Sequence, residues 1–133
     1  MRVRISSFLL RRVVAMAQAE QDEVCGLLLG EAGWIRDITP AANVAPDPAR
    51  HFEVDPVVLI AAHRQARMGG SAVIGHYHSH PSGHSEPSAN DEASAAADGS
   101  YWMIVANGAA RLWQTTAGEG GEVRFVAVEL DIL

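Results

Sequence analysis

The run "SAVIGHYHS", Ser71 to Ser79, limits the architectures open to this chain more than any other stretch. It is β-branched and aromatic, it follows Gly69-Gly70, and Pro81, Gly83 and Pro87 break the chain just after it. It therefore reads as a central strand entering a loop. Side chains alternate faces along a strand, so His76, His78 and His80 project the same way, with neighbours about 6.6 Å apart. Two imidazoles so placed can converge on one ion. Just before this strand, Asp55 followed by Pro56 marks a helix start, and Gly69-Gly70 is the matching stop.

The remaining elements alternate in the same manner. Ser6 or Ser7 can cap a helix with one apolar stripe through Leu10, Val13, Val14 and Ala17, ending near Gln21. "EVCGLLLGE" reads as a buried strand, and "WIRDITPAANV" as its partner after a turn at Gly33. "APDPARHFEVDP" is loop, with a brief extended piece from His51 to Val54. "SANDEASAAAD" has helical composition and opens at Ser88. Three strands follow: "YWMIVAN", then "ARLWQTT" after the Asn107-Gly108 turn, then "VRFVAVEL" after "GEGGE". The sum is an α/β domain around a mixed sheet, one domain over residues 1–133.

Composition narrows the functions. With 48% hydrophobic and 20% charged residues, the chain is that of an ordinary globular protein. A net charge of −6 disfavours a phosphate-binding surface, so a nucleic-acid partner is not expected. All ten basic residues are Arg, which removes Schiff-base and P-loop lysines. Cys25 is the sole cysteine, so no internal disulfide forms and a reducing, cytoplasmic setting is the simpler assumption. Residues 1–19 are Arg-rich and acid-free like a leader. However, Arg11 and Arg12 divide the apolar stretch into pieces too short for a signal core or a membrane span.

The histidines need a third partner to make a metal site. Asp91 lies one turn inside the helix that opens at Ser88, so a loop folding back toward the strand end could deliver its carboxylate to the same ion. Two His and one Asp leave a fourth tetrahedral position for water, the composition of a catalytic rather than a structural zinc site. Plainer readings exist for each residue. Ser88 and Asp91 form S-x-x-D, a variant of the helix capping box. His76 reads as a polar filler beside the site, His84 as a solvated loop residue, and His51 and His63 as loop and helix-surface residues. Cys25, in an apolar strand, reads as a core residue rather than a nucleophile. Trp34, Trp102 and Trp113 read as packing.

Taken together, the motifs resemble those of the JAMM or MPN+ metallopeptidases. The shared pattern is His78-Ser79-His80, seven residues led by Pro81, and then Ser88 and Asp91 as S-x-x-D, with "EVCGLLLG" similar to the family's upstream E-x-C-G-L-L-x-G strand. "HFEVDP" is similar to the segment before the family's middle helix. The resemblance runs from about Glu20 to Asn107. It implies a three-layer α/β/α, cytidine-deaminase-like fold with a central mixed β-sheet. It also implies one zinc ion held by His78, His80 and Asp91, Glu23 as general acid/base, and Ser88 as the group that steadies the oxyanion.

The implied activity is hydrolysis of a peptide or isopeptide bond. By analogy with small members of the family, the partner is the C-terminus of a ubiquitin-like or sulfur-carrier protein. His76 departs from the apolar or aromatic residue common at its position, and there is no room for the insertions that grip polyubiquitin. Two rival readings are a silent scaffold that binds partners and a RadC-like DNA-associated protein. The first usually lacks one of the five functional residues, all present here. The second is disfavoured by the acidic balance. A zinc deaminase would need a P-C-x-x-C pair that one cysteine cannot supply.

Overall fold

The computed structural model describes residues 1–133. Its elements run β1 (Arg2–Ile5), α1 (Ser7–Gln18), β2 (Cys25–Glu31), β3 (Trp34–Ala41), α2 (Pro56–Arg67), β4 (Ala72–Ser79), α3 (Ala89–Ser94), β5 (Tyr101–Ala106), β6 (Ala109–Ala117) and β7 (Val123–Ile132). The strands close into a mixed barrel in the order β1-β3-β2-β4-β5-β6-β7. This corrects the expected three-layer α/β/α sandwich. Three helices of 12, 12 and 6 residues do not form two full layers, and the sheet has curled onto itself.

Closure depends on a strand ahead of the first helix that the sequence reading passed over. Arg2–Ile5 alternates Arg with Val or Ile, the period-two pattern of a strand, and both Val3 and Ile5 are fully buried. β1 pairs in parallel with β7 from Arg2↔Glu129 to Ile5↔Ile132, and with β3 at Arg4↔Trp34 and Ile5↔Ile35. One short strand thus joins the two halves of the sheet.

Helix α1 is capped by the Ser6 hydroxyl, which accepts from the Leu9 amide at 3.1 Å. It ends at Gln18, a turn earlier than expected. Its stripe buries Leu9 and Val13, with Leu10, Val14, Met16 and Ala17 packed around them. Each fully buried aliphatic side chain contributes about 1.5–3 kcal/mol. These residues join Ile35, Tyr77, Met103, Val105, Leu112 and Val128 in one core. Helix α2 starts where the Asp55-Pro56 signal places it, with the Asp55 carboxylate accepting from the Val57 amide at 3.0 Å.

Helix α3 is shorter than its composition implies. The chain turns extended at Ala95 (φ −75°, ψ 149°), because the alanines beyond Ser94 offer no apolar stripe to bury and propensity alone does not hold so short a helix. The Asn107-Gly108 turn forms as expected. Both residues take positive φ, 52° and 75°, the conformation of a two-residue hairpin turn. No helix is long and apolar enough to cross a membrane.

A close approach at Gly26 sets the spacing of the central strands. Gly26 pairs with Tyr77 across β2 and β4, and the Tyr77 ring lies flat over the space a Cβ would fill. Gly26→Ala would force the ring or the strand aside. The expected cost is about 1–3 kcal/mol of stability, read as a lowered denaturation midpoint in urea with an unchanged slope.

Candidate metal centre

The register between β2 and β4 builds the site. These strands pair antiparallel with Cys25 opposite His78. Two residues further along in each direction, the same register brings Glu23 toward His80, on the same side as Cys25 and His78. Ser79, between the two histidines, locks this juxtaposition: its hydroxyl accepts from the Val24 amide at 2.9 Å, and its own amide donates to the Val24 carbonyl at 3.0 Å. Beyond the strand, the His80 amide donates to the Val105 carbonyl at 2.8 Å, so the last histidine is still tethered to β5.

The side chains meet at one point. His78 Nε2 lies 3.0 Å from His80 Nε2 and 3.3 Å from Asp91 Oδ2, while His80 Nε2 is 3.1 Å from the same oxygen. Glu23, His78 and His80 offer ligand atoms that all lie within 4.8 Å of one another, and all four residues are buried. The His80 Nδ1–H donates to the His84 carbonyl at 2.6 Å, which leaves the Nε2 lone pair facing the cluster. Electron-rich atoms this close repel unless a proton or a metal cation lies between them. A tetrahedral ion with bonds of about 2.0 Å spaces its ligands about 3.3 Å apart. The observed separations fit such an ion. Either Asp91 or Glu23 can join the two imidazoles in a three-ligand set.

Electrostatics separates the two carboxylates. Burial raises the Glu23 carboxyl to about 7, with the Asp91 charge adding to the effect and His80 opposing it. Asp91 is also disfavoured by burial, yet hydrogen bonds with His78 and His80 hold it well below the usual carboxylate range. Burial lowers His78 and so favours the neutral form that ligates metals. At His80 burial acts the same way, but the hydrogen bonds with Asp91 and the His84 carbonyl prevail and raise it.

Ser88 caps α3 and belongs to the site as well. Its hydroxyl oxygen accepts from the Asp91 amide at 3.1 Å, while its amide donates to Asp91 Oδ2 at 2.9 Å. The capping box therefore aims the Asp91 carboxylate at the histidines. The hydroxyl proton is left free.

His76 does not join the cluster. Its ring stacks behind His78 at 5.3 Å and packs edge-on to Trp102 at 4.3 Å, with Nε2 buried and unpartnered. Burial lowers it to about 3, so it is a neutral part of the wall. The His84 side chain is exposed, and only its carbonyl serves the site. Among the tryptophans, Trp102 is buried beside His76, and Trp113 donates to the Ser85 carbonyl at 3.1 Å, tying the loop to β6.

Three contributors escaped the sequence reading. Phe52 stacks on the His78 ring at 4.1 Å and 16°, which fixes that imidazole although its Nδ1 has no partner. Asn43 organises the loop before α2: its Nδ2 donates to the carbonyls of Glu23 and His51 at 2.9 Å, and its Oδ1 accepts from the Ala45 and Glu53 amides at 3.1 Å. Arg50 lies on the loop that Asn43 holds. An asparagine just ahead of the Pro-rich "APDPA" stretch is a turn-forming signal that could have singled out Asn43.

Comparison with known proteins agrees with this geometry. Residues 6–116 match the model of the prokaryotic homologs of the JAB domain, and the chain belongs to that family. It is similar to a desampylase of Haloferax volcanii, 37% identical over 62 residues. That match spans 44% of this chain and 44% of the relative. Among solved structures it resembles a protein of Desulfitobacterium hafniense, with a TM-score of 0.78 and 25% identity over 100% of this chain and 93% of the other. A protein of Salinibacter ruber follows at a TM-score of 0.62 and 27% identity, over 97% and 91%.

Cys25 is buried, near the carbonyls of Ala41 and Ala42, and burial together with Glu23 raises its thiol to about 11. At pH 8 only about one thiol in a thousand is then ionised. The native protein should resist iodoacetamide at pH 8 and be alkylated fully in denaturant, as mass spectrometry will show.

Proposed function

We propose that the protein is a zinc-dependent peptidase, with His78, His80 and Asp91 as ligands, Glu23 as general acid/base and Ser88 as oxyanion donor. The carrying observation is the contact of both Nε2 atoms with a single Asp91 oxygen at 3.1–3.3 Å, beside a Glu23 carboxyl pushed up to about 7. Asp91 suits ligation because it stays ionised. Glu23 suits proton transfer because its affinity for a proton is matched to neutral pH.

A divalent metal held there supplies Lewis acidity, which acidifies water to a pKa of about 7 and polarises the scissile carbonyl. Glu23 takes the proton of the attacking water as the new C–O bond forms. It then passes that proton to the departing nitrogen as the C–N bond breaks, leaving a carboxylate and an amine. The Ser88 hydroxyl accepts from the Asp91 amide, so its own proton is available to the negative charge growing on the carbonyl oxygen. Phe52 and the His84 carbonyl keep the two imidazoles oriented throughout.

The substrate assigned to this chemistry is the C-terminus of a ubiquitin-like or sulfur-carrier protein, cleaved at a peptide or isopeptide bond. Membership of the JAB family and similarity to a protein named desampylase support a deconjugating hydrolase.

Elemental analysis of the purified protein and a cleavage assay on a Gly-Gly-ended carrier with a short C-terminal extension test this together. Glu23→Gln should keep one zinc per chain and lose roughly 10²–10⁴-fold in turnover. Asp91→Ala should lose the metal. Normal cleavage by the glutamine variant, or full zinc in the alanine variant, would assign these roles wrongly.

A further inference from the structure

We infer that Arg50 forms an anion subsite beside the site, which selects substrates whose departing amine carries its own α-carboxylate. The inference rests on the peptidase reading and names the substrate class of that same site.

A cavity of about 410 Å³ opens onto the cluster, and Glu23, His80 and Ser88 line it together with Arg50. That volume suits a small ligand group rather than a folded partner. Arg50 is the one guanidinium in its wall. No carboxylate engages it, whereas Glu86, which also lines the cavity, is already paired with Arg111 at 3.0 Å. Elsewhere the charge is unfavourable to anions: the chain carries −6 overall, and Glu23 and Asp91 stand at the centre. Arg50 offers a carboxylate that enters this cavity a permanent positive charge with no competing partner.

Arg50 also stands on a loop that is joined to the reacting group. Its loop is tied directly to the backbone of the proton donor: the Glu23 amide donates to the Pro48 carbonyl at 2.8 Å, and Asn43 bridges the Glu23 and His51 carbonyls. The Arg50 and His51 amides both donate to the Asp47 carbonyl, at 3.2 and 3.0 Å, so the backbone at Arg50 is held in a turn. Glu23 must deliver its proton to the departing nitrogen. In an α-amino acid the carboxylate is two bonds from that nitrogen, so a cationic group lining the same cavity as Glu23 can meet it. A lysine side-chain amine, released from an isopeptide bond, has no carboxylate at that distance. Guanidinium pairs with carboxylate through two parallel hydrogen bonds, which makes Arg the suited residue.

The test uses two acetylated peptides ending in Gly-Gly-Ala, one with a free carboxylate and one as the carboxamide, cleaved by the zinc-loaded protein between Gly and Ala. Wild type should favour the free carboxylate by roughly 10- to 100-fold, with the difference in KM. Arg50→Ala should abolish that preference with the zinc content retained, and be partly rescued by Arg50→Lys. Equal cleavage of both peptides by wild type, or an equal loss on both in Arg50→Ala, overturns the subsite and leaves the peptidase reading intact. Cleavage of neither counts against the peptidase reading. Calorimetric binding of both peptides to zinc-loaded Glu23→Gln protein, with and without Arg50→Ala, then decides the subsite: carboxylate-selective binding that needs Arg50 supports it, and equal binding ends it.

Discussion

The antiparallel register of β2 on β4 is the constraint on which the rest depends. Because Cys25 faces His78, a glutamate from early in the chain is carried to the strand end where His80 emerges. The reciprocal hydrogen bonds between Ser79 and Val24 hold that register at its last step. A slip of one residue would turn every side chain of β4 to the other face, moving the imidazoles into the core and Tyr77 out of it. The Tyr77 ring over Gly26 resists such a slip, since the residues on either side of Gly26, Cys25 and Leu27, carry side chains that would fill that space. Packing and chemistry are therefore set by the same pair of strands.

Around this frame the protein gathers polar groups in a buried place, where unpaired charge is costly. It does so with redundant support. Asp91 is aimed by the capping box of α3, His80 by a backbone carbonyl, and His78 by the face of Phe52. The loop after β4 is pinned to the β5–β6 hairpin by Asn107, which donates to the Gly83 carbonyl at 2.7 Å, and by Trp113 and Arg111. The loop after β4 is thus tied to the sheet, and the loop before α2 to the segment that carries Glu23 into β2.

Much of this was legible in the sequence where the signal is local. Asp55-Pro56 with Gly69-Gly70, the Asn107-Gly108 turn and the apolar strands each announce an element within a few residues. His78 and His80 announce a shared face, and Ser88 with Asp91 a cap. Barrel closure left only a short local mark: Arg, Val, Arg and Ile alternate over four residues before a helix, too few to be told from its lead-in until their pairing with β3 and β7 is seen. Phe52, Asn43 and Arg50 were hidden for the same reason. Phe52 and Asn43 act on residues distant in sequence, through stacking and backbone hydrogen bonds, and although Phe52 stands in "HFEVDP" that segment does not say what its ring packs against. Glu23 was found only through family resemblance, since nothing near it in the chain marks it.

The pairing of β1 with β7 has a kinetic consequence. Arg2 and Glu129, which meet across that seam, are 127 residues apart, so the barrel cannot be sealed until β7 has emerged from the ribosome. Such a non-local contact is entropically slow to form, and topologies built on them fold late and slowly. Until then the half of β7 that β1 covers is an open edge able to pair with another chain. The nascent protein is thus most exposed to aggregation in the interval before its first strand docks against its last.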